Sequence, residues 1–232
     1  MGRTRRNRRA ILLTWGAVGG VAVLNLGWLV AGVLQTSDYS VARDDVSDLG
    51  ALTAQHPWVM LTAGGIAGAL TILFALFALR PSLTVPGRGT APGAWLLAGS
   101  LMGLDNLSDV FFRLDCRAAD PGCTTSVAMN SWHGTIHGVV GAVTAIATIA
   151  SLFALAVRMR RVDGWRDLAR PTFLFGLLFL VVLIGYAALE RKTGGGYMQR
   201  AAIVLLSVGV ATLALRVRAL ARLPASAVAQ PA

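Results

Sequence analysis

Two pairs of side chains carry the chemistry this sequence can offer. Asp105 and Asp109 lie four residues apart in Gly-Leu-Asp-Asn-Leu-Ser-Asp-Val-Phe-Phe, and His133 and His137 lie four apart in Trp-His-Gly-Thr-Ile-His-Gly. On a helix that spacing places both members of a pair on one face. Carboxylates opposite imidazoles are the ligand types of a divalent metal such as zinc, and water bound to such a metal attacks ester or amide bonds. The same four groups also suit a hydrogen-bonded cluster that pins two helices together, so a functional and a structural reading stand side by side.

Further candidates surround them. Asp48 or Asp115 would act as acid or base on a metal-bound water. Ser47 is a nucleophile only beside a base; structurally, Ser47 and Asp48 cap a short interfacial helix. Asp48 and His56 would line a mouth above the two pairs, and Arg200 either snorkels to the interface or pairs with an outer carboxylate. Cys116 and Cys123, the only cysteines, flank Arg-Ala-Ala-Asp-Pro-Gly. In an oxidising space outside the membrane a disulfide is their first reading.

The elements that position these groups are set by hydropathy. Of 232 residues, 55% are hydrophobic and 14% charged, with mean hydropathy +0.64, which no water-soluble domain could hide. About 20 apolar residues cross about 30 Å of hydrocarbon as a helix. The spans run from Ile11 to Leu34, Trp58 to Leu79, Ala94 to Phe112, His133 to Val157, Thr172 to Leu189 and Tyr197 to Leu215. The expected fold is all-α, a polytopic transmembrane bundle of about six helices. Residues 1–10 form a basic N-terminus, 11–220 the membrane domain and 221–232 a C-terminal tail. The first span exceeds a signal-peptide core and is read as a retained helix. Gly16 with Gly20, Gly64 with Gly68 and Gly134 with Gly138 suit close helix packing, within the chain or between copies.

Charge orients the bundle. The net charge of +10 does not form a nucleic-acid patch, because the basic residues sit between spans; 15 of the 21 fall on the side of the two termini. The positive-inside rule makes that side cytoplasmic. Nine of the 11 carboxylates, Glu190 among them, then lie toward the outside. The Arg-rich, Ala-rich, Lys-poor composition suggests a high-GC bacterium, hence a bacterial cell membrane.

Several of these landmarks, in order, resemble a bacterial six-helix membrane family, domain of unknown function 998, over roughly Ile11 to Leu220. They are Tyr39-Ser40, Val46-Ser47-Asp48-Leu49-Gly50, Phe112-Arg113-Leu114-Asp115-Cys116, Asp120-Pro121-Gly122-Cys123, His133, His137 and Gln199-Arg200. The resemblance implies a membrane location and a six-helix bundle and no particular activity; Asp105 and Asp109 lie outside the resembling pieces. A looser likeness, in residue types alone, is to seven-helix hydrolases of the alkaline ceramidase type, which bind zinc among their helices.

Three function classes follow. The first is a non-catalytic membrane or assembly protein. The second is a metal-dependent hydrolase or transferase acting on a lipid-like substrate at the outer leaflet. The third is a small proton- or cation-coupled transporter, for which carboxylates on the cytoplasmic half would argue; the spans place none there.

Overall fold

Backbone groups in hydrocarbon must be satisfied within the protein, so long apolar stretches fold as helices. A computed structural model describes residues 2–35, 38–84, 89–189 and 194–223. Arg88, Glu190, the tail 224–232 and the side chains of Arg3, Arg5 and Arg6 lie outside the described residues.

The described residues are helical with no strand. In chain order the helices are α1 (Gly2–Val33), α2 (Pro57–Leu83), α3 (pieces Pro92–Ala98, Leu101–Asp105 and Asn106–Ser108), the short α4 (Thr125–Ala128), α5 (Trp132–Met159), α6 (Arg166–Leu189) and α7 (Gly195–Arg222). Five of them, α1, α2, α5, α6 and α7, are long and apolar enough to cross a membrane. The segment expected as a single span from Ala94 to Phe112 is the broken α3.

α1 packs on α2 and α7, α2 on α3, α3 on α5, α5 on α6, and α6 on α7, closing the bundle into a ring. The connections 34–56 and 109–131 and the start of α7 share one end. There Leu52 N donates to Leu114 O at 2.9 Å, and Gly194 N to Ala42 O at 2.8 Å. At the opposite, terminal end Asn7 Nδ2 donates to Ala221 O at 2.9 Å. Beside it the buried Arg158 Nε donates to Leu83 O at 2.8 Å, which satisfies a carbonyl at the end of α2.

The terminal half holds much of the tightest packing. Phe74, Leu79, Leu83, Leu155, Met159 and Trp165 have no exposed surface. The small-residue pairs pack within the chain. Gly16 and Gly20 face Leu70 on α2, while a Cβ at Gly68 would stand 2.6 Å from Gly103 O on α3, so only glycine permits that crossing.

Candidate functional site

The break in α3 positions the acidic pair. Ser100 is extended; its Oγ accepts from Met102 N at 3.2 Å and donates to Leu97 O at 2.7 Å. Leu101 N, freed from the helix ladder, donates to Thr148 Oγ1 of α5 at 3.0 Å. The helix restarts as a wide turn, tied sideways to α5 and pressed against Gly68 of α2.

That restart aims Asp105 at α5, where its Oδ1 accepts from Thr144 Oγ1 at 3.0 Å. One turn on, Asp109 Oδ1 lies 2.9 Å from His137 Nδ1, which also approaches Phe112 O at 3.2 Å. The ring nitrogen is directed at the carbonyl. No described residue donates a well-aligned hydrogen bond to the buried Asp109 Oδ1.

These three side chains line a cavity of about 440 Å³ in the loop half of the bundle. Its charged lining is Asp45, Asp48, Asp105, Asp109, His137 and Arg113, set among apolar side chains such as Met60, Leu61 and Ile203. Asp48 ties two loops together, with Oδ2 accepting from Asp45 N at 3.0 Å and Oδ1 from Ala118 N at 3.1 Å. Tyr186 OH of α6 donates to Asp45 Oδ2 at 2.6 Å, and Gln199 Oε1 of α7 accepts from Val46 N. Arg113 donates through Nε to Gly50 O and through Nη2 to Ala51 O, each at 2.8 Å. Burial pulls its guanidinium below the ordinary arginine range.

Not all the sequence candidates converge here. Ser47 lines the chamber; His56 does not, standing exposed at φ 50° just before Pro57. His133 Nδ1 lies 3.0 Å from both Arg113 O and Ser131 Oγ and 3.6 Å from Asp115 Oδ1, away from the chamber lining. Asp115 accepts from Ser131 N at 2.8 Å and Ser131 Oγ at 2.6 Å. Ser131 in turn caps α5 by accepting from Gly134 N at 3.1 Å. Asp115 and His133 therefore build the start of α5, and the hydrogen bonds from Ser131 hold the Asp115 carboxyl below the usual range.

Among the described residues Arg200 is met by carbonyls and a hydroxyl and by no carboxylate. Its Nη1 donates to Val41 O, Asp44 O and Gly196 O at 3.0, 2.8 and 2.9 Å, and its Nη2 to Tyr39 OH. The guanidinium also lies 5.7 Å from the centre of the Trp28 ring. It clamps the first loop onto α7, and the Tyr39 hydroxyl is pushed up to about 12 by burial. Cys116 and Cys123 form a disulfide with Cα atoms 6.1 Å apart. Within that loop Arg117 Nη2 meets Asp120 Oδ1 at 2.6 Å.

The metal-ligand candidates His133, His137, Asp105 and Asp109 do not all gather at one point among the described residues. Among the described residues no three His, Cys, Asp or Glu side chains gather closely enough to hold a metal ion, whereas catalytic zinc takes three protein ligands. Of the residues sequence reasoning passed over, Thr144 had a signal: seven residues after His137, it shares that face of α5. Tyr186 and the chamber role of Arg113 had none.

No curated protein and no solved structure matches the chain. Residues 9–216 match the family described as protein of unknown function, DUF998, and the chain belongs to that family.

Proposed function

We propose that the chamber binds a small molecule carrying a positive charge, and that the protein is a non-catalytic membrane protein acting through that binding. The supporting observation is the convergence of Asp105, Asp109 and His137 on one space whose lining sets four carboxylates against one guanidinium, Arg113, and one imidazole, His137. Arg113 spends two donors on backbone carbonyls. Asp105 and Asp109 stand on a membrane segment, where carboxylates are costly, and a cation between them would add to what Thr144 and His137 already offer. Apolar walls with a few converging polar groups are the usual make-up of a ligand site.

The test compares hexylamine with hexanol on the purified protein in detergent. The amine should raise the melting temperature saturably, and Asp109→Asn should remove the response. Equal shifts from amine and alcohol, or none from either, would overturn the reading.

The proposal places the loop end outside a bacterial cell membrane and both termini in the cytoplasm. The basic residues of the terminal end and the Cys116–Cys123 disulfide at the other support that orientation. A reporter fused after Leu223 should be active in the cytoplasm; activity on the outer side sinks the orientation.

An acid–base enzyme is the second reading, favoured by one observation. With Nδ1 held beside Asp109 and Phe112 O, the His137 ring lines the chamber with no described partner at Nε2, the posture of a general base. Turnover separates the two: hydrolysis of a short-chain ester that His137→Gln abolishes would favour the enzyme, and no turnover by the unaltered protein would leave binding alone. A transporter finds no support at the terminal end, where Phe74, Leu79 and Met159 fill the interior.

A further inference from the structure

A second cavity, of about 210 Å³, lies deeper among α3, α5, α6 and α7. Its walls are chiefly apolar, including Leu152, Leu155, Phe175 and Leu213. Met102 and Leu206 line both this cavity and the acidic chamber, so the two spaces meet across these side chains. Met102 is unbranched and adaptable, suited to moving aside. From His137 in the chamber to Leu152 in the deeper cavity is about 22 Å along α5, at about 1.5 Å per residue. An extended hexadecyl chain has comparable length.

The wall on the α6 side faces largely outward. Only 11% of the most apolar window of α6 is buried, against 44% for α2. Val208 and Thr212 of α7 are exposed and also line the deeper cavity, so a chain lying in the membrane can reach it from that side.

We infer that the ligand is a single-chain amphiphile, with a cationic head among Asp105, Asp109 and His137 and its alkyl chain running past Met102 and Leu206 into the deeper cavity. This rests on the cation-binding reading and narrows it from any small cation to an amine-headed lipid. Apolar walls alone are as well solvated by membrane lipid as by an incoming chain. The head therefore supplies the selectivity, and the two adjoining cavities decide where the tail lies.

The probe is hexadecylamine carrying a diazirine at the chain end, photolysed on the whole protein in lipid nanodiscs and mapped by peptide mass spectrometry. Label should fall on the α6 and α7 peptides containing Phe175 and Leu213, and excess hexadecylamine should reduce it at least fivefold while hexadecanol does not. Leu206→Trp should block the passage and cut that label at least fivefold. Thr212→Trp, which narrows the deeper cavity from its exposed rim and leaves the core alone, should do the same if Leu206→Trp fails to fold. Competed label confined to chamber residues, or unchanged label in a folded Thr212→Trp protein, overturns the path of the tail and leaves the cation reading standing. Label spread over lipid-facing residues and not competed by the amine overturns the path too. If hexylamine also gives no thermal shift, the cation reading falls with it.

Discussion

The loop half and the terminal half of this bundle are made of the same helices and solve opposite problems. At the terminal end Phe74, Leu155, Met159 and Trp165 are fully buried against one another, and the buried guanidinium of Arg158 reaches backbone carbonyls at Leu83 and Gly89. At the loop end the helices stand apart around about 440 Å³. The missing packing is replaced by polar stitching among the loops: Arg200 on three carbonyls, Asp48 between two loops, and Arg117 with Asp120 inside the disulfide. Cavities forfeit dispersion contacts along their lining. A bundle that could close both ends closes only one, and the void coincides with the carboxylates. Close packing serves as the base, and the stitched loops hold open a space with a chemical lining.

Matched glycine substitutions break or sharpen this contrast with the largest expected effect. At the terminal half, a Cβ at Gly93 would stand 2.8 Å from Leu155 N, which is backbone and cannot yield cheaply. Gly93→Ala should cost about 1–3 kcal/mol through overpacking. At Gly141, facing the chamber, a Cβ meets only Asp105 Oδ1 at 3.8 Å. There, inside a helix and in open space, Gly141→Ala should stabilise by roughly 0.5–1 kcal/mol. Unfolding by detergent titration reads both signs. Destabilisation by Gly141→Ala comparable to that at Gly93 would mean the loop half is as tightly packed as the terminal half.

The sequence made the spans legible and the loop geometry illegible, for physical reasons that particular residues display. Long apolar runs have one stable state in lipid, so α1, α2, α5, α6 and α7 follow from hydropathy. The break in α3 does not, because it depends on a tertiary bond from Leu101 N to Thr148 Oγ1 on another helix. Spacing placed His133 and His137 on one face, yet their rings part. His133 sits in the first turn of α5, where acceptors of the preceding loop capture it; His137 lies a turn deeper, beside Asp109. Arg200 was legible as an outer cation and illegible as a loop clamp, since its acceptors are carbonyls whose positions the side-chain sequence does not encode. Residue type and helical spacing located the chamber, and loop backbone decided which candidates enter it.

Acid should separate the halves with a smaller effect, confined to the loops. Hydrogen bonds from Ser131 hold Asp115 below its ordinary range. Burial pushes Asp120 up, but Thr53 and Arg117 outweigh it and hold that carboxyl low as well. A carboxylate whose folded pKa is depressed contributes stability that is present above its unfolded value of about 4 and is lost as pH falls through the folded value. The melting temperature should therefore fall by a few degrees, on the order of 1 kcal/mol, as pH drops from about 5 to about 3. Near neutral pH neither group changes charge, and the curve should be flat on their account. The Asp115→Asn, Asp120→Asn double variant should melt lower at neutral pH and lose much of the acid slope. Hydrogen exchange should place the acid-induced opening in residues 112–131 while amides of 152–159 stay protected. If those core amides open together with the loops, the two halves unfold as one unit. The loop stitching would then be a part of the core rather than a separately titrating cap.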